Sequence, residues 1–158
     1  MYINRIDISL IYRPFLNKLV ELLVNCAVAG QRYVITSGTR TYQEQNELYA
    51  QGRTKPGKIV TNAKGGQSYH NFGIAADFVP DMSDASGLQP SWDEKDFKIL
   101  RDEAIKLGLE SGLDWKFKDP PHIQLPLVKN NITLSALDAE YTKGGYPAVF
   151  KLLDKYKW

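Results

Sequence analysis

Ser68-Tyr69-His70-Asn71-Phe72-Gly73-Ile74-Ala75-Ala76-Asp77 sets a histidine and an aspartate seven residues apart, with a glycine between them. In one straight strand an odd separation puts two side chains on opposite faces. A continuous helix would align positions seven apart. Gly73 inside the stretch and Phe78-Val79-Pro80 behind it argue instead for a loop followed by a strand. Gly73 and Asn71 offer the bend that lets His70 fold back beside Asp77. The stretch predicts a buried strand over 75–79, stopped by Pro80, with a titratable pair at its entrance.

Working outward, Leu16, Leu19, Val20, Leu23 and Ala27 recur at helical spacing, and Leu22, Cys26 and Ala29 widen that apolar stripe. Gly30 is a natural stop. Arg32 to Ser37 is rich in β-branched and aromatic residues and reads as a strand. A helix follows from Thr41 or Tyr42 to Gln51. The composition then shifts to Gly, Lys, Thr and Pro over 52–66, the mark of a long exposed loop. Beyond Pro80, residues 81–90 form a polar loop. Ser91 with Glu94 reads as a capping box opening a helix over about 92–107. His122 to Leu125 reads as a short strand. The tail from Thr133 predicts two short helices separated by Gly144-Gly145, with Pro147 in a first turn. Helices and strands mix without regular βαβ alternation, so the pattern favours α+β, a small, mostly antiparallel sheet flanked by helices.

The chain has 158 residues, enough for one domain, read here as 1–158 with no separate binding domain. Twenty Lys+Arg against eighteen Asp+Glu leaves a net charge of +2, too weak to argue for a nucleic-acid partner. A single cysteine excludes a disulfide framework and a cysteine-based zinc knuckle; Cys26 on an apolar helix face reads as inert packing. Asp81, Asp84 and Gly87 lack the spacing of a calcium loop. Lys151, Lys155 and Lys157 make a basic, solubilising tail face.

Only two histidines are present, His70 and His122, so imidazole chemistry must use one or both. His122 closes Asp119-Pro120-Pro121-His122, which cannot be helical, because each residue before a proline is pushed into extended conformations. Read as polyproline II, with three residues per turn, it projects Asp119 and His122 from one side of a stiff rod; Asp-Pro-Pro is also a common turn. Both histidines thus sit in segments with a nearby aspartate.

Ser68-x-His70-x-x-Gly73-x-Ala75-x-Asp77 resembles the signature of the LAS zinc peptidases, named for lysostaphin, D-alanyl-D-alanine peptidases and Sonic hedgehog. Five fixed letters give a chance match on the order of 10⁻⁴ in a chain of this length. The run from Ser37-Gly38-Thr39-Arg40-Thr41-Tyr42 through Gln45, Leu48-Tyr49 and Gly52-Arg53-Thr54 is similar to the upstream motif of that family's L-alanyl-D-glutamate peptidase branch. Asp114-Trp115 with Asp119-x-x-His122 resembles its closing motif, although Leu113 stands after Gly112 where Gly-Gly is common.

The resemblance implies a hedgehog/D,D-peptidase-like fold, with His70, Asp77 and His122 as Zn²⁺ ligands. It implies Asp119 as general base and Arg40 as the cation near the scissile carbonyl; the alternative for Arg40 is a surface cap on the following helix. Ser68, Gln45 and Trp115 are the substrate-binding candidates, with turn closure the alternative for Ser68 and core packing the alternative for Trp115. The implied partner is peptidoglycan and the implied reaction is hydrolysis of its stem peptides, with the L-alanyl–D-glutamate bond first. A D,D- or L,D-carboxypeptidase and a non-catalytic cell-wall-peptide-binding module are the alternatives. No apolar leader precedes Asp7 and no stretch is long enough to span a bilayer. The expectation is therefore a monomer made in the cytoplasm, not inserted in the membrane, and dependent on a holin for release if phage-encoded.

Overall fold

The computed structural model describes residues 6–83 and 89–158. Helix α1 (Arg13–Val28) begins with Pro14 in its first turn. It is followed by β1 (Tyr33–Ser37), α2 (Tyr42–Ala50), a 3₁₀ turn (Tyr69–Phe72) and β2 (Ala75–Pro80). A second 3₁₀ turn (Glu94–Phe97) leads into α3 (Lys98–Lys106), then β3 (Glu110–Ser111), β4 (His122–Gln124) and α4 (Leu134–Leu153). The sheet is antiparallel throughout, in the order β1-β2-β4-β3. The α+β expectation holds.

Alternation along β2 divides its side chains between two faces. Ala76 and Phe78 face the core, where they join Phe15, Leu19 and Leu22 of α1 and Leu100 and Ala104 of α3. Leu137, Val149 and Leu153 of α4 belong to the same cluster, so the C-terminal segment is part of the core. Tyr12 reinforces that junction by donating to Asp154 at 2.8 Å. Asp77 and His122 are direct partners across β2 and β4 and so project from the other face. Pro80 stays inside the strand, paired with Tyr33. It lacks an N–H only on the side where β4 has already ended, beyond the Phe78 N–H to Pro121 bond.

Two local expectations need correction. The buried stripe of α1 is Phe15, Leu19, Leu22 and Cys26, while Val20 is 56% exposed and Ala27 faces solvent. The stripe's centre is therefore rotated from the sequence reading, because positions 15, 19, 22 and 26 are the ones turned into the shared core. Ser91 and Glu94 form no capping box: Asp93 caps the 3₁₀ turn by accepting from the Lys95 N–H, and the α-helix starts only at Lys98. Asn71 and Gly73 share the expected bend: Asn71 closes the 3₁₀ turn by accepting from the Ser68 N–H at 3.3 Å, and Gly73 ends it in left-handed conformation at φ 69°. The expected break in the tail is present, since Gly144 and Gly145 depart from helical geometry inside α4. Asp84 and Gly87 lie outside the described residues. Cys26 is fully buried, and burial, with Glu103's charge added, pushes its thiol up to about 12.

Gly73 is the most closely approached of the described glycines. A Cβ there would lie 2.2 Å from the Leu10 carbonyl oxygen, and its own carbonyl accepts from the Tyr12 N–H at 2.9 Å. Gly73→Ala must combine an unfavourable φ with a backbone clash, so we expect a loss of about 2 kcal/mol or more in unfolding free energy. Urea denaturation checks this; a change under about 0.5 kcal/mol would mean the 10–12 segment yields freely.

Candidate metal centre and cleft

His70 leaves the 3₁₀ turn just before Gly73 reverses the chain into β2, and Asp77 follows on the cleft face of that strand. His122 opens β4 as Asp77's cross-strand partner. Their ligating atoms form a triangle. His70 Nε2 and His122 Nδ1 each stand 3.2 Å from Asp77 Oδ1, and 3.3 Å from one another. Three protein ligands around one tetrahedral Zn²⁺, with bonds of about 2.0–2.1 Å, would be separated by about 3.3 Å. The donor set fits a metal ion in size and type.

The outer hydrogen bonds fix which nitrogens face inward. His70 Nδ1 lies 2.7 Å from the Gly38 carbonyl oxygen, and His122 Nε2 lies 2.8 Å from Gln124 Oε1. Both outer nitrogens must donate, because their partners only accept. Three lone-pair atoms therefore converge on one point. When the imidazoles are protonated they favour the ionised carboxylate instead: burial works against charge on Asp77, yet the His70 charge and hydrogen bonds from both rings in that form hold its carboxyl well below the ordinary range. In that same protonated form His122 is raised, because Asp77's hydrogen bond and charge outweigh desolvation. The centre favours positive charge.

Arg40 is bound to this site and does not cap α2 at the surface. Its Nη2 reaches the other carboxylate oxygen, Asp77 Oδ2, at 2.5 Å and donates to Ser37 Oγ at 3.0 Å. The register slips between Ile35 and Ser37, a β-bulge that brings Ser37 opposite Asp77 and within Arg40's reach. Thr41 caps α2 instead, in a capping box with Glu44.

Asp119 arrives by a route different from the polyproline rod. Its carbonyl accepts from the His122 N–H at 3.0 Å, so Asp119-Pro120-Pro121-His122 is a closed turn. Its own N–H donates to the Gly112 carbonyl at 2.9 Å, and a Cβ on Gly112 would stand 2.3 Å from the Asp119 oxygen. Gly112 thus allows the close backbone approach, and Leu113 packs against the core. Desolvation and the negative charge of Asp77 raise the Asp119 carboxyl above its ordinary value, against the pull of His122, His70 and Arg40. Asp119, Arg40, Ser68 and Trp115 line one cleft of about 490 Å³ with the three candidate ligands. The Trp115 ring centroid is 5.0 Å from that of His122.

Gln45 is the exception among the predicted site residues, being fully buried. Its Oε1 accepts from Arg40 Nη1 at 3.4 Å, and its Nε2 donates to the Ala63 carbonyl at 2.9 Å. It supports the cleft wall from behind, because both ends of its amide are occupied inside the protein. Asn71, which the sequence marks only as a bend, is a second support: it accepts from the Gly66 N–H and donates to the Arg40 carbonyl. Gln124 and Glu110 escape the sequence reading altogether, since an isolated glutamine in an apolar strand carries no sequence signal.

A family model described as VanY, D-alanyl-D-alanine carboxypeptidase, matches residues 10–119. The chain belongs to the VanY family. A curated relative, the peptidoglycan L-alanyl-D-glutamate endopeptidase CwlK of Bacillus subtilis (strain 168), is 47% identical over 106 residues. That alignment covers 61% of this chain and 62% of the relative, so the chain spans less than two thirds of that protein's length. Among solved structures, the fold is similar to the L-Ala D-Glu endopeptidase ChiX of Serratia marcescens, with TM-score 0.54, 21% identity, and coverage of 80% of this chain and 88% of that one. It is also similar to the vancomycin-resistance D,D-dipeptidase VanXYg, with TM-score 0.56, 22% identity, and coverage of 84% and 58%. A vancomycin-resistance D,D-pentapeptidase VanY in complex with Zn(II) gives TM-score 0.53, 16% identity, and coverage of 84% and 78%. The VanY-family fold is thus shared at low identity.

The reassignment of Gln45 is testable. Gln45→Ala should leave the Ala63 carbonyl without its donor and cost about 1–3 kcal/mol of stability while metal binding persists. Equilibrium unfolding measures the first and metal titration the second; unchanged stability with a selective loss of ligand affinity would restore the substrate-contact role.

Proposed function

We propose that this chain is a zinc-dependent peptidase of peptidoglycan stem peptides that hydrolyses the L-alanyl–D-glutamate bond, with 1–158 acting as one catalytic domain. The observation that carries the reading is a ligand triangle of 3.2, 3.2 and 3.3 Å that shares its cleft with the unligated carboxylate of Asp119. A purely structural metal site has no use for such a carboxylate. The choice of bond is supported by the 47% identity to CwlK, a named L-alanyl-D-glutamate endopeptidase. His70, Asp77 and His122 would hold the metal.

Zinc bound there supplies Lewis acidity toward a water and the scissile carbonyl. Asp119 takes the proton of the attacking water and passes it to the leaving amine, a task suited to a carboxyl whose affinity for protons is raised. Arg40 presents positive charge where the carbonyl oxygen becomes anionic. Its Nη1, engaged only by the 3.4 Å contact to Gln45, is its least committed donor. Trp115 and Ser68, which line the same cleft, are the residues we propose to contact the peptide.

Two outcomes test this reading. The protein should bind about one zinc per chain, and His70→Ala or His122→Ala should abolish that binding. Asp119→Ala should keep zinc and fold but lose turnover by roughly 10²-fold or more. Mass spectrometry of fragments from digested murein identifies the bond; full zinc occupancy in both histidine variants would sink the assignment, and release of terminal D-alanine would favour the carboxypeptidase alternative. The second outcome concerns access. Among the described residues no helix is long and apolar enough to cross a membrane. We propose that the chain waits in the cytoplasm for an opened membrane, as a holin-dependent endolysin does. Expression alone should leave cells intact, and chloroform should then trigger lysis in wild type but not in Asp119→Ala; prompt lysis without permeabilisation would reveal an export route.

A further inference from the structure

Gln124 and Glu110 lie outside the ligand triangle, yet the hydrogen bonds through them can run in only one direction. Gln124 Nε2 donates to Glu110 Oε2 at 2.7 Å, and Gln124 Oε1 lies 2.8 Å from His122 Nε2. The sheet builds this chain of contacts. Glu110 is the direct partner of Gln124 across β3 and β4, and Gln124 stands two residues from His122 on the same face. His122 and Gln124 are 7% and 5% exposed, so water is a poor substitute for either contact.

A carboxylate only accepts, so Glu110 must take the NH₂ end of the Gln124 amide. That turns the amide carbonyl toward His122. A carbonyl oxygen also only accepts, so the imidazole nitrogen facing it must carry the proton. His122 Nδ1 is then left with its lone pair, 3.2 Å from Asp77 Oδ1 and 3.3 Å from His70 Nε2. Turning the amide over would set its carbonyl against the Glu110 carboxylate. We propose that Glu110 and Gln124 form a positioning relay that selects the Nε2–H tautomer of His122 and so presents Nδ1 to the metal. This rests on the zinc reading above. Neither residue touches the metal point; Glu110 acts through Gln124, and Gln124 through His122. His70 needs no such relay, because its outer nitrogen is held by the Gly38 main-chain carbonyl.

The test uses three variants of the full chain. Gln124→Leu removes the relay; Glu110→Lys reverses it, because an ammonium donates and pulls the amide carbonyl away from His122. The double exchange Glu110→Gln with Gln124→Glu turns the 110–124 hydrogen bond around but keeps an obligate acceptor against His122 Nε2. Zinc affinity is read by competition with a chromophoric chelator, and the His122 tautomer by nitrogen NMR of the zinc-free protein. The first two variants should bind zinc about 10- to 100-fold more weakly, and the double exchange should return to within about threefold of wild type. Wild type should carry its His122 proton on Nε2, and Glu110→Lys should shift it toward Nδ1. If Gln124→Leu does not fold, Glu110→Lys, at a partly exposed position, and the double exchange decide the matter. Folded Gln124→Leu and Glu110→Lys variants that bind zinc within about twofold of wild type would overturn the relay, as would a wild-type proton on Nδ1. If wild type binds no zinc at all, the metal reading fails, while the tautomer still judges the relay.

Discussion

Holding three lone-pair atoms 3.2–3.3 Å apart is unfavourable without a cation among them, and the rest of the fold is arranged to enforce that approach. Each atom is held by a different element. A 3₁₀ turn and the Gly38 carbonyl hold His70, while β2 and the Arg40 guanidinium hold Asp77. His122 is held by β4 and Gln124. The direct pairing of Asp77 with His122 is the register on which everything depends, because a slip of one residue would turn one of them into the core.

The support behind that register is mostly buried polar structure. Gln45 ties Arg40 to the wall at Ala63, and Asn71 ties the His70 turn to the start of α2 and to Gly66. Such groups are expensive when left unpaired, and here their amide ends are occupied, so they give rigidity where the cleft needs it. The opposite wall relies on close backbone approach instead. Gly112 lets the Asp119 turn come near enough to hydrogen-bond, and the same turn hands the chain to β4 at His122. One short segment therefore positions both the candidate base and a candidate ligand.

An ordinary globular composition and a net charge of +2 would fit many functions, so the functional signal lies in the spacing of a few residues. Arg40 illustrates how charge is reused. It neutralises the second oxygen of Asp77 and still lines the cleft, so the carboxylate faces the histidines with one oxygen committed on each side. The solved neighbours share this chain's fold at low identity, and the cleft sits on the same face of the sheet as the ligand triangle.

His70, Gly73 and Asp77 were legible in the sequence because their roles depend on local geometry: a turn that only glycine enters easily, followed by a strand of period two. The helix break at Gly144-Gly145 was legible for the same reason. The rotation of the α1 stripe was not, since periodicity shows that a face is apolar but the sheet decides which positions it covers. The turn at Asp119 was equally hidden, because proline excludes helix without choosing between a rod and a turn; the hydrogen bonds to Gly112 and His122 made that choice. Gln45 was a substrate-binding candidate only through the resemblance, and packing against residues 61–63 is what buries it. Glu110 and Gln124 meet because two strands distant in sequence pair in one register, a long-range fact that no local pattern contains. The sequence by itself determined the candidate ligand types and the local turn that brings His70 beside Asp77. The tertiary structure decided which nitrogen of His122 faces Asp77 and His70, because the proton on an imidazole is set by what surrounds the ring.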